Sequence, residues 1–130
     1  MKETVLIFGG VFGALAVVLG AFGAHALKRS FNADQLKSFE TGVKYQLYHA
    51  FLLIISGIVF PFMEITQTLT AWFLIIGVIL FSFSIYGLCW SGSRGRKISI
   101  LGPITPIGGL FLILGWIFFT ISIAKIASYL

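Results

Sequence analysis

A chain of 130 residues that is 58% hydrophobic and only 10% charged cannot build a water-facing surface, since soluble domains carry about 25% charged residues. Its mean hydropathy of +1.04 and its long apolar runs make the bilayer its solvent, and they leave no length for a soluble catalytic domain. The net charge of +5 does not mark a nucleic-acid surface, because the cations stand beside apolar runs, where membrane topology by itself calls for them.

The first run covers residues 4–27, enough to cross a hydrocarbon layer that takes about 20 helical residues. Lys2, the apolar stretch and Ala24-His25-Ala26 also resemble a secretory signal with its cleavage site. The run is long for such a signal, and cleavage would strand His25, so a retained span is expected. Gly9, Gly13, Ala16, Gly20 and Gly23 repeat at three or four residues along one stripe. Stripes of this kind let helix backbones approach closely in lipid. Packing within the chain is the preferred reading, because four helices must pack somewhere; self-association into a homo-oligomer stays open.

Asn32 followed by Gln35, with Asp34 between them, reads as a helix start. Leu36, Phe39, Val43 and Leu47 then recur at helical spacing, while Lys37, Glu40, Thr41 and Lys44 fall on the remaining surface. The pattern predicts an amphipathic interfacial helix over 33–44, bending at Gly42 into a second span over 45–63 that Pro61 closes. Thr66 or Thr68 is expected to cap a third span over 69–90. Cys89, the one cysteine, is expected to be buried in it. A basic loop over 91–97 follows, and the segment 98–105 should dip into the interface. Thr105 is expected to cap a fourth span over 106–124, with Pro106 at its first position. Trp116 falls near mid-membrane, where its indole N–H needs an acceptor within the bundle. The fold class is thus an all-α integral membrane four-helix bundle, one domain over 1–130.

Lys28, Arg29, Lys37, Lys44, Arg94, Arg96 and Lys97 lie on the first and third connectors, against Lys2, Lys125 and Glu64 on the other side. The positive-inside rule places those connectors in the cytoplasm of a bacterial plasma membrane and both termini outside. Anionic lipid headgroups are the natural partners of the cations.

The polar residues within the spans gather toward the same side. His25, Glu40, Tyr45, Gln46, His49, Ser82 and Tyr86 form the candidate ligand-binding cluster, with Tyr45 and His49, and Ser82 and Tyr86, each four apart on one helix face. Ionisable groups inside a membrane suggest function by default. Interhelical hydrogen bonds also serve as plain glue, at about 0.6 kcal/mol each. His25 and His49 on neighbouring helices raise the alternative of axial haem ligation. No other cofactor and no metal site are expected: zinc needs three or four ligands, and the cysteine lies outside the cluster. Phosphate-loop, dinucleotide, nucleophile-elbow and zincin motifs are absent from the sequence.

Three stretches carry a family resemblance: Gly20-Ala21-Phe22-Gly23-Ala24-His25-Ala26-Leu27, then Glu40-Thr41-Gly42-Val43-Lys44-Tyr45-Gln46-Leu47-Tyr48-His49-Ala50, and Thr105-Pro106-Ile107-Gly108-Gly109 with Gly115-Trp116. Together with Phe81-Ser82-x-Ser84-x-Tyr86, they resemble the YgdD/YwdK-like family of small bacterial membrane proteins, a domain of unknown function. The resemblance covers essentially the whole chain. The resembled family commonly has Gly between the two serines, where this chain has Phe83. The resemblance implies a four-span plasma-membrane protein and no established activity.

The leading expectation is a non-enzymatic, oligomeric membrane protein whose polar cluster binds a lipid headgroup, small ligand or partner. A channel or carrier relaying protons or cations through His25, Glu40 and His49 is the second reading. An enzyme or haem-based redox protein at the inner interface, with Glu40 and His49 as its acid–base pair, is the third.

Overall fold

Four helices carry nearly the whole chain: α1 Lys2–His25, α2 Ala33–Val59, α3 Ile65–Ser93 and α4 Leu101–Ala127, each long and apolar enough to cross a membrane. They are seen in a computed structural model that describes residues 1–129. Among those residues the fold is all-helical.

A short 3-10 turn, Leu27–Arg29, ends α1, and a reciprocal cap starts α2. The Gln35 N–H donates to Asn32 Oδ1 at 2.8 Å, and the Asn32 N–H donates to Gln35 Oε1 at 3.0 Å. Phe31, just before the cap, is buried against Phe39 with ring centroids 5.9 Å apart, which fixes the entry angle of the chain.

The expected bend at Gly42 is absent. α2 runs unbroken for 27 residues, about 40 Å at 1.5 Å per residue. The amphipathic segment is therefore the first turns of α2, projecting beyond a hydrocarbon layer of about 30 Å. Gly42 is small for a packing reason: a Cβ there would lie 2.8 Å from the Tyr86 ring of α3. α2 stops at Val59, and Phe60 leaves in extended backbone just before Pro61. Phe62 takes a left-handed φ of 58° to turn the chain.

Neither Thr66 nor Thr68 caps α3. The turn at Phe62 lets the helix begin at once, so Glu64 is the N-cap, without a side-chain cap bond. Gln67 Oε1 takes the free Met63 N–H instead, at 3.0 Å. α3 is α-helical to Val78, passes through one π turn at Ile79–Phe83 and resumes as α-helix to Ser93.

α4 also starts earlier than expected, at Leu101 rather than at Pro106. Pro103 is the proline in the first turn, where a missing N–H matters little. Pro106 lies inside the helix and removes one backbone bond there. Thr105 is consequently not a cap. Its hydroxyl reaches Leu101 O at 3.3 Å and Ser84 Oγ on α3 at 2.7 Å.

The helices pack as two close pairs. On α1, Cβ atoms built at Gly9, Gly20 and Gly23 would meet Ile54, Val43 and Phe39 of α2 at 2.8, 3.6 and 3.0 Å. On α4, Leu112 lies over Gly77 and Leu74 lies over Gly115, while Gly108 meets the backbone of Leu80 and Phe81 in the π turn. Val5, Phe12, Leu53, Leu74, Ile75, Val78 and Leu112 form the shared core. Both basic connectors lie at one end of the bundle. At the other, Lys125 Nζ pairs with Glu64 Oε2 at 2.6 Å.

Candidate functional site

Gln46 lies on the buried face of α2 and is fully enclosed. Its Nε2 donates to Phe12 O of α1 at 2.8 Å, and its Oε1 accepts the Tyr86 hydroxyl of α3 at 2.8 Å. One turn back, the Ser82 hydroxyl donates to Gly42 O at 2.7 Å. In hydrocarbon an unsatisfied polar group is expensive. These groups answer one another, and the result joins three helices level with the middle of α1. Gln46, Ser82 and Tyr86 thus bond to one another and to the backbone across the three helices.

His49 sits one turn further along α2. Its Nδ1 lies 2.6 Å from Tyr45 O. A carbonyl only accepts, so the hydrogen-bond network assigns the proton to Nδ1 and leaves Nε2 as an acceptor. Nε2 receives the Trp116 indole N–H at 3.2 Å. This bond ties α2 to α4, and it answers the need of the mid-membrane tryptophan. Trp116 is the residue that sequence reasoning left out of the cluster. The sequence puts it near mid-membrane and His49 toward the basic side, and nothing in either span says that the two helix faces meet.

Tyr45 stacks beside His49 at 6.1 Å and against Phe81 at 4.9 Å. Between α2 and α4, these side chains border a cleft of about 530 Å³ lined by Tyr45, Tyr48, His49, Phe81, Ile113 and Trp116. Tyr48 is 57% exposed and Trp116 47% exposed, so the cleft opens sideways from the bundle. Among the described residues the Tyr45 and Tyr48 hydroxyls have no hydrogen-bond partner, unlike the hydroxyls of Ser82 and Tyr86.

Two expected members do not join. His25 is exposed at the end of α1, and Glu40 is exposed on α2, where it borders a separate groove beside Gly20, Ala24 and Lys44. Gly23 packs at the level of Phe39 and α1 runs antiparallel to α2, so His25 stands about 18 Å from the level of His49, at 1.5 Å per residue. Two axial ligands of one iron would lie about 4 Å apart, twice a metal–nitrogen bond of about 2 Å. His49 also has both ring nitrogens engaged. The haem alternative through His25 and His49 therefore fails on geometry, and so does a Glu40–His49 acid–base pair. Among the described residues no three His, Cys, Asp or Glu side chains group as a metal site. A relay toward the opposite end finds little to use: the Ser56 and Thr70 hydroxyls donate to Leu52 O and Thr66 O of their own helices, each at 2.8 Å.

Phe83 closes the π turn. Its ring leans on Phe12 and Tyr86, with centroids 6.4 and 5.7 Å away. The close backbone approach in this part of α3 is made by Gly108 against Phe81.

The chain matches the family model described as Protein of unknown function (DUF423) over residues 19–109. A UPF0382 membrane protein of Staphylococcus haemolyticus is 39% identical over 120 residues, covering 92% of this chain and 94% of that protein. The UPF0382 membrane protein YwdK of Bacillus subtilis is 38% identical over 122 residues, covering 92% and 95%. A UPF0382 membrane protein of Staphylococcus aureus is 37% identical over 123 residues, covering 95% and 97%. No solved structure matches this chain.

Proposed function

This chain belongs to the DUF423 family, and from that premise we propose that it is a non-enzymatic binding protein of the cell membrane, whose α2–α4 cleft takes an amphipathic, lipid-soluble molecule from the bilayer. The observation that carries this reading is that Tyr45 and Tyr48, whose hydroxyls have no partner among the described residues, both line the cleft. Tyrosine joins an apolar body to a hydroxyl that seeks a partner at an apolar–polar boundary, and a ligand head with carbonyl or hydroxyl acceptors would offer one to both. Helical side chains tilt toward their helix N-terminus, so both tyrosines lean toward the basic end, where such a head would sit. The volume of about 530 Å³ suits a small-molecule head with part of its tail. The positive-inside bias supports a cytoplasmic basic end. The glycine stripe of α1 lies against α2, so a homo-oligomer would form through other faces.

The test is native mass spectrometry of protein purified in mild detergent with nothing added. The wild type should retain an adduct of discrete mass, and the double variant Tyr45→Phe, Tyr48→Phe should lose it at unchanged thermal stability. A bare wild-type mass, or an adduct equally held by the double variant, would remove the proposal. Orientation is read separately: cysteines placed at Ser30 and Ser93 should resist membrane-impermeant maleimide in intact cells and react after lysis.

A further inference from the structure

A second cavity lies on the other side of the bundle, between α1 and α3 at the basic end. It holds about 390 Å³ and is lined by apolar side chains that include Leu19, Phe22, Leu27, Phe31, Phe39 and Trp90. Phe22 is 56% exposed and Trp90 52% exposed, so the slot opens sideways to the surrounding acyl chains.

Its rim has the opposite character. Lys28 and Arg29 sit in the 3-10 turn between the lining residues Leu27 and Phe31. Arg94 lies over the ring of the lining residue Trp90, with its guanidinium carbon 4.5 Å from the ring centroid. All three cations are exposed. Among the described residues none of them has a carboxylate partner: the ion pair found there is Lys125 with Glu64, at the far end. The acids of this end, Asp34 and Glu40, both lie on α2, Asp34 in the first turn, where the helix dipole favours it, and Glu40 in the separate groove beside Lys44. Stacking an arginine on an indole leaves its N–H edge free to fork onto an oxyanion.

We propose that this slot and rim form a binding site for an anionic glycerophospholipid. One acyl chain fills the apolar slot, and the phosphodiester sits among Lys28, Arg29 and Arg94. Each half of the argument excludes something. Free phosphate would leave the slot empty. A second copy of the chain would bring like charges to the rim. A zwitterionic lipid would carry its own cation toward three unpaired ones. The site shares no lining residue with the α2–α4 cleft, so the two proposals stand or fall separately.

The experiment titrates the full chain in mild detergent with phosphatidylglycerol and, in parallel, with phosphatidylcholine of the same acyl chains, read by native mass spectrometry. Phosphatidylglycerol should bind more tightly. The variant Lys28→Gln, Arg29→Gln, Arg94→Gln should weaken it by on the order of a hundredfold, as three surface cations near an anionic lipid imply, with phosphatidylcholine binding unchanged. Leu19→Trp, which fills the slot, should weaken both lipids. Tyr45→Phe with Tyr48→Phe should weaken neither. Equal binding of the two lipids, retention of phosphatidylglycerol by the charge variant, or its full displacement by millimolar inorganic phosphate would each overturn the assignment. Circular dichroism of each variant shows whether the helices persist, and the charge variant alters only exposed side chains.

Discussion

Gly108→Ala should be the most damaging single methyl in this protein. A Cβ at that position would stand 2.4 Å from Phe81 N, 2.7 Å from Leu80 C and 2.8 Å from Phe81 Cα. All three are backbone atoms of the π turn, so no side-chain rotation makes room. Ordinary carbon contacts begin near 3.5 Å, and α4 must therefore retreat from α3 by about 1 Å. A gap of that size forfeits a quarter to a half of the dispersion well wherever it opens. Leu112 and Gly115 follow Gly108 on the same face of α4 and pack over Gly77 and Leu74, so they are lifted with it. Overpacking costs about 1–3 kcal/mol, and the gain of alanine over glycine in a helix returns at most about 1 kcal/mol. A net loss of roughly 1–2 kcal/mol is expected. Gly109→Ala is the internal control, because its nearest neighbour is Phe81 Cδ2 at 3.8 Å, an ordinary contact, and it should be neutral or slightly stabilising. Gly115→Ala falls between, since it meets the movable tip of Leu74 at 2.6 Å. Reversible unfolding in mixed micelles of mild detergent and dodecyl sulfate, followed by circular dichroism, gives the ranking. Gly108→Ala as stable as wild type, or Gly109→Ala equally destabilised, would refute the close-approach argument.

The Gln46–Tyr86 bond should show a coupling of about 0.6–1.7 kcal/mol in a double-mutant cycle of Gln46→Leu with Tyr86→Phe in the same unfolding assay; zero coupling would mean that the bond does not hold the bundle. Cys89 is buried and its thiol donates to Gln35 O at 3.3 Å, so maleimide should label it only after the bundle is opened with dodecyl sulfate. Rapid labelling of the intact protein would contradict that packing. Asn32→Ala removes the acceptor of the Gln35 N–H and should destabilise the start of α2 by about 1 kcal/mol. Faster amide exchange confined to the first turn of α2 is the expected signature, and unchanged protection would argue against the cap.

The sequence carried the spans and the family, and part of the local chemistry. Length and hydropathy marked four crossings, and Asn32 with Gln35 announced the cap that is observed. Three local readings went astray for one reason. Gly42, Thr66 or Thr68, and Thr105 with Pro106 were read from residue type alone, as bend and caps. Each has its position decided by something further off: a Tyr86 ring against Gly42, a left-handed Phe62 upstream of α3, and Pro103 ahead of Thr105. The polar cluster divided in the same way. Gln46, Ser82 and Tyr86 bond to one another's helices, His49 turns to Trp116, and His25 and Glu40 stay on the outside. No spacing within one helix separates these fates.

What the chain settles by itself is its relation to the bilayer, because a span depends only on how many apolar residues stand in a row against a layer of fixed thickness. The pairing of α1 with α2 and of α3 with α4 is different. In lipid no hydrophobic force chooses between partners, so shape and hydrogen bonds do. The contact of Gly108 with the π turn, and of His49 with Trp116, unites residues far apart in sequence whose helix faces meet only once the bundle has formed.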